Sequence, residues 1–181
     1  MRIPVFLSYP KPHLAAQQSF IDRLMAYLQG RGLEPRTLGV TDYDMDAPMT
    51  AIRRLMLESN GLITVALRRT EVRDGVVHSG TDMADQEEAP LKGAWYTSPY
   101  CQIEPAMGYQ LGLPILILRE RRVVPEGLLE RGAIGLFMPE FDLAKPVDQY
   151  FASHEWNDII GKWEGSVRAV VSAKGQPPRL Y

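Results

Sequence analysis

The sequence predicts an α/β three-layer sandwich: a five-stranded parallel sheet in the flavodoxin-like order 2-1-3-4-5, with helices on both faces. Three observations lead there. Short apolar runs at residues 3–8, 61–67 and 114–118 show no polar alternation, which marks strands covered on both sides. The segments between them repeat apolar residues at helical spacing. The two patterns alternate along the chain, and strand–helix–strand units fold into a parallel sheet with helical crossovers.

Residues 3–8 form the first strand. The turn Pro10-Lys11-Pro12 follows, and Phe20, Leu24, Tyr27 and Leu28 then recur at helical spacing until Gly30 and Gly32 stop the helix. Residues 33–38 make a second, weaker strand. The acidic loop Thr41-Asp42-Tyr43-Asp44-Met45-Asp46 comes next. Pro48 then suits the first turn of a helix carrying Ile52, Leu55 and Met56. The third strand, 61–67, is the clearest. Residues 68–97 form a long segment with an acidic patch of Asp82, Asp85, Glu87 and Glu88, and loops of such length inside compact domains are usually functional or disordered.

Ser98 caps the following helix, with Pro99 at its first position. Tyr100, Ile103, Met107 and Leu111 are expected to face the core. Pro105 lacks an N–H and is expected to kink or restart the helix, which ends near Gly112. Residues 114–118 give the fourth strand, 123–131 a short helix and 133–138 the final strand. The last helix carries one apolar stripe of Trp156, Ile159, Ile160, Trp163, Val167, Val170 and Val171. A single domain is expected over 1–175, with Pro177-Pro178 in a loose tail at 176–181.

A chain of 181 residues is most simply one domain. A net charge of −2 provides no basic field for nucleic acid or an anionic membrane. The paired arginines Arg53-Arg54, Arg68-Arg69 and Arg121-Arg122 are able to hold phosphate but read more simply as solvated faces. The one cysteine, Cys101, excludes an internal disulfide and a cysteine-based metal site. The longest strongly apolar run, 113–118, falls far short of the ~20 residues that cross a bilayer. No signal-type segment opens the chain, so a soluble, cytoplasmic protein is expected.

In such sheets ligands sit beyond the carboxyl ends of the strands, where the winding reverses between strands 1 and 3. Ser8 and Tyr9 end strand 1, and the segment after strand 3 leads to Glu104. The acidic loop with Asp44 and Asp46 borders the same rim. Tyr100 lies one helical turn before Glu104, on an adjacent position of one face. Tyr9, Trp95, Tyr96 and Tyr100 suit stacking on a base or nicotinamide ring, although each taken alone reads more simply as packing at the sheet edge. Cys101 reads as a small buried thiol. His13, His78 and His154 define no metal site, and none is expected. No glycine-rich phosphate loop, Gly-x-Ser-x-Gly elbow or His-Glu-x-x-His motif is present.

These residues resemble the Toll/interleukin-1 receptor (TIR) domain family, particularly its bacterial members. Val5-Phe6-Leu7-Ser8-Tyr9 is similar to that family's first-strand motif. Ser98-Pro99-Tyr100-Cys101-Gln102-Ile103-Glu104 is similar to its Ser-x-Trp-Cys-x-x-Glu stretch, whose glutamate is catalytic in the NAD-cleaving members. Residues 51–59 and 61–65 resemble the helix and strand after the family's mobile loop, and the whole resemblance spans about 3–173. The chain departs from the pattern in four places. Tyr100 replaces tryptophan, Asp46-Ala47-Pro48 lacks the usual Pro-Gly, the 68–97 segment is longer, and the late Phe-Trp pair is absent, with Trp156 in the comparable region.

The resemblance implies an NAD+ glycohydrolase or ADP-ribosyl cyclase acting at the nicotinamide–ribose bond, with NAD+ as substrate and no cofactor. It implies Glu104 as the catalytic residue, with Ser8, Tyr9, Tyr96, Ser98, Tyr100, Asp44 and Asp46 contacting substrate. It also implies a homo-oligomer assembled through the loop after strand 2, in bacterial antiphage defence signalling. Two alternatives stand beside it. A nucleoside 2-deoxyribosyltransferase-like enzyme would use Glu104 as a covalent nucleophile. A TIR-like scaffold or nucleotide sensor would use no chemistry at all.

Overall fold

The computed structural model describes residues 2–135 and 138–173. The expected tail at 176–181, the last residues of the expected domain, and Leu136 and Phe137 of the expected final strand lie outside them.

The main sheet contains β1 (Ile3–Ser8), β2 (Leu33–Arg36), β3 (Leu62–Ala66), β8 (Ile115–Glu120) and β9 (Glu140–Phe141), in the order β2-β1-β3-β8-β9 with every pair parallel. This is the order 2-1-3-4-5 among the five sheet strands. The register pairs Leu7 with Ile63 and Ser8 with Thr64, and Ile63 with Leu116 on the other side.

Alternate strand residues serve opposite layers. Val5, Leu7, Ile63, Val65, Leu116 and Leu118 pack with α1 (Ala15–Gly30), α4 (Val147–Phe151) and α5 (His154–Ser172). On the other face Phe6 and Leu62 pack against Ile52, Leu55 and Met56 of α2 (Pro48–Glu58). Ala66 and Ile117 meet Cys101 of α3 (Tyr100–Gln110). Burial on both faces is why these strands read as unbroken apolar runs.

The stripe expected on the last helix forms α5, where Trp156, Ile160, Trp163 and Val167 are buried. Full burial of each such side chain is worth roughly 1.5–3 kcal/mol. Ser153 caps α5 by accepting a hydrogen bond from the Trp156 N–H. Trp163 Nε1 donates to the Pro114 carbonyl at 3.1 Å, tying α5 to the start of β8. No helix among the described residues is long and apolar enough to cross a membrane.

Four expectations are corrected. The final strand is Glu140–Phe141, not 133–138. Gly132, at φ +96°, donates to the Gly135 carbonyl and closes a turn where the strand was expected. The 123–131 helix shrinks to a single 3₁₀ turn at Gly127–Leu129. The short helix α4 had no counterpart in the reading of the sequence. The 68–97 segment is an arm of two antiparallel ladders, pairing β4 (Thr70–Val72) with β7 (Ala94–Tyr96) and β5 (Val76–Val77) with β6 (Ala89–Pro90).

The fourth correction concerns α3. Tyr100 and Ile103 are 41% and 38% exposed, and the buried residues are Cys101, Glu104, Pro105 and Gly108. These follow i, i+3, i+4, i+7 and define one face. The helix therefore sits rotated so that Glu104 belongs to the face against the sheet. It also runs unbroken through Pro105, which forgoes one hydrogen bond instead of ending the helix.

Candidate active site

The end of β1, the segment after β2 and the first turns of α2 and α3 enclose, with Arg69, a cleft of about 370 Å³. Each wall has a local cause. Ser8 and Tyr9 leave β1 where the parallel ladder ends. Thr37 and Leu38 leave β2, with the Thr37 hydroxyl donating to the Leu7 carbonyl at 2.8 Å. Pro48 and Ile52 come from α2. Ser98 begins the turn into α3, and its Oγ accepts from the Tyr100 N–H at 3.3 Å. Tyr100 and Glu104 project from α3 into the same space.

Of the residues expected from the sequence, Glu104, Ser8, Tyr9, Ser98 and Tyr100 line this cleft. Tyr96, Asp44 and Asp46 do not. Tyr96 is held in β7, paired with Thr70. Asp44 is occupied by Arg54, whose Nη2 lies 2.6 Å from its carboxylate, and it also accepts the Asp46 N–H. The acidic loop thus ties Asp42 and Asp44 to arginines and leaves Tyr43 and Met45 exposed.

Glu104 is 7% exposed. Burial pushes its carboxyl up to about 7, and the nearby Ser8 hydroxyl pulls the other way. Ser8 Oγ is itself buried and has no hydrogen-bond partner of ordinary geometry among the described residues. Burial also raises the Tyr9 phenol, opposed by the Thr37 hydroxyl. The Cys101 thiol, beside Glu104 on the helix, is fully buried and pushed up to about 12, which makes it an inert packing group.

Two charged cleft residues escaped the sequence reading as members of a site. Lys11 and Arg69 are the cations that line it. Arg69 belongs to the Arg68-Arg69 pair, and the structure splits that pair. Arg68 turns inward to Glu120, with Nε 2.6 Å from the carboxylate, and lies over the Trp95 ring at 5.3 Å. Arg69 turns to the cleft. No signal in the sequence separates the two neighbours.

The arrangement offers a buried carboxyl pushed up to about 7, the hydroxyls of Ser8 and Tyr9, the Tyr100 ring at the rim and the cations Lys11 and Arg69. Perturbed carboxyl groups in clefts are characteristic of catalytic sites. Among the described residues no cluster of histidine, cysteine or acidic side chains is arranged to hold a metal ion.

No known protein family matches the chain, and no curated protein matches it. Among solved structures, the Clostridium botulinum CMP N-glycosidase BcmB is 16% identical over 81% of this chain and 93% of that one, with a TM-score of 0.47. The TIR domains of the activated Roq1 resistosome, which directly recognises the pathogen effector XopQ, are 14% identical over 96% and 86%, with a TM-score of 0.43. FerB, a flavoenzyme NAD(P)H:(acceptor) oxidoreductase from Paracoccus denitrificans, is 12% identical over 94% and 95%, with a TM-score of 0.33. At these values the likenesses carry no argument about chemistry, and the fold rests on the strand order and register described above.

Proposed function

We propose that the cleft cleaves the N-glycosidic bond of a nucleotide, with NAD+ as substrate and Glu104 as the catalytic carboxylate. The observation that carries this reading is the placement of Glu104: buried, with no cation paired to it among the described residues, and beside the Ser8 hydroxyl at the end of β1, which has no hydrogen-bond partner among them.

The chemistry suits a single carboxylate. The bond between ribose C1′ and the nicotinamide nitrogen breaks, and its electron pair goes to that nitrogen. Nicotinamide departs neutral and needs no proton. The ribosyl centre becomes cationic, and an ionised carboxylate held in a desolvated site stabilises that charge. Water then adds to C1′ and loses its proton, giving ADP-ribose; attack by the substrate's own adenine would give the cyclic product. Ser8 and Tyr9 bind the ribose hydroxyls, Ser98 borders them, and Tyr100, half exposed at the rim, stacks on nicotinamide. The exposed Tyr43 and Met45 in the loop after β2 suit self-association through that loop.

The test uses the concentrated protein, incubated with NAD+ and separately with a deoxynucleoside plus free base, followed by chromatography. Nicotinamide release is expected, and Glu104→Gln should lower it by about 10²–10³-fold. Undiminished release in the variant would sink the role of Glu104. Base exchange on the deoxynucleoside would assign a transferase instead, and silence in both reactions would favour a non-enzymatic scaffold.

A further inference from the structure

The mechanism above makes no use of a buried polar network behind the cleft. Gln17, in the first turn of α1, is fully buried, and Glu120, at the end of β8, is 1% exposed. Gln17 Nε2 donates to Glu120 Oε2 at 3.1 Å and to the Arg68 carbonyl at 2.9 Å. Gln17 Oε1 accepts the His13 N–H at 3.1 Å. Glu120 accepts the Arg68 N–H at 2.8 Å as well as the Arg68 guanidinium.

One amide therefore grips two loops at once. The loop after β1 is held at His13, two residues past Lys11. The loop after β3 is held at both backbone groups of Arg68, next to Arg69, and the Arg69 N–H is fixed in turn by the Tyr96 carbonyl at 2.9 Å. Burying an amide and a carboxylate costs free energy that apolar side chains of like volume would not. What apolar side chains cannot do is hold backbone N–H and C=O groups of two loops in fixed relation. The loops so fixed are those that carry the two cations of the cleft.

Those cations are otherwise unengaged. Arg36, Arg54, Arg68 and Arg121 all meet carboxylates. Among the described residues the side chains of Lys11 and Arg69 meet none, and both are solvent-accessible in the cleft. Two such groups, with five N–H donors on the guanidinium, match the charge and donor demand of a phosphate.

We infer that Lys11 and Arg69 form a phosphate subsite of the cleft, and that Gln17 and Glu120 are positioning residues which set its spacing. The ligand class is a phosphorylated nucleotide, and the unphosphorylated nucleoside is discriminated against. This rests on reading the cleft as a nucleotide site, although binding can be measured whether or not cleavage occurs.

The test is calorimetric binding of AMP and of adenosine to the full chain. AMP is expected to bind more tightly, and Arg69→Ala and Lys11→Ala should each lower AMP affinity by about tenfold or more while leaving adenosine unchanged. Both positions are solvent-accessible, so these variants should fold. Glu120→Gln should reduce the AMP-to-adenosine affinity ratio at unchanged adenosine affinity, whereas a purely structural role would weaken both ligands alike. AMP binding no tighter than adenosine, including binding of neither, overturns the subsite. An unaltered ratio in Glu120→Gln overturns the positioning role. Phosphate selectivity in a protein that cleaves nothing upholds the subsite while removing the proposed reaction.

Discussion

Ser8 and Thr64 are neighbours in the parallel register of β1 and β3, and both bury a hydroxyl that has no hydrogen-bond partner among the described residues. They break the apolar surface that the sheet presents to α2 and α3, next to the point where Glu104 enters it. Unpaired buried hydroxyls are rare, because each forfeits its hydration. Glu104 has the Ser8 hydroxyl close by and no paired cation among the described residues, and burial pushes its carboxyl up to about 7.

This fixes a pH dependence for the proposed reaction. The ionised form of Glu104 stabilises the ribosyl cation, and its carboxyl in the free protein titrates at about 7. kcat/KM for nicotinamide release should rise about tenfold per pH unit below that value and level off above it. A rate that falls as pH rises through this range would mean that the protonated form acts.

The same burial predicts a cost in stability. The folded-state value of about 7 lies above the model-peptide value of 4.5, so between these values the native state binds more protons than the unfolded chain. The contribution of Glu104 to stability is then fully present below pH 4.5 and is lost as pH rises to about 7, by on the order of 3 kcal/mol. Glu104→Gln should match the parent near pH 4 and exceed it at pH 8. Urea unfolding at the two pH values measures the difference, and an equal offset at both would refute the account.

Gly61 makes a further point of the packing testable. A Cβ there would lie 2.5 Å from Val167 Cγ2 and 3.1 Å from the Trp163 ring. Valine is stiff about χ1, so α5 itself would have to shift. Gly61→Ala should lower stability by about 1–3 kcal/mol, read as a reduced urea midpoint at unchanged slope. A midpoint equal to the parent's would show that α5 yields freely at this contact.

Much of this architecture was legible in the residues. β1, β3 and β8 announced themselves because strands covered on both faces must be apolar throughout, and α5 because its stripe follows the helical period. The α3 face was misread for the converse reason: Glu104 and Cys101 occupy core positions that hydrophobicity would have given to Tyr100 and Ile103. β9 was missed because two residues of pairing leave no periodic trace. Arg69 could not be told from Arg68, because what separates them is Glu120, more than fifty positions away. The Gln17–Glu120 contact spans 103 positions and joins two polar residues that look like surface. Short-range pattern reports burial; the partners of a polar side chain are written in the fold.

The arm at 68–97 leaves the domain and returns to it through a closed neck. Arg69 bonds Tyr96, β4 zips to β7, and the Trp95 carbonyl accepts the Val124 N–H at 2.8 Å, fastening the neck to the segment after β8. No residue of the arm beyond that seam lines the cleft. Residues at the far end are free to be lengthened, trimmed or recoded without moving Arg69 or the turn into α3. The chain thus has one region where sequence change is cheap, grafted at a position one peptide bond from where change is most costly.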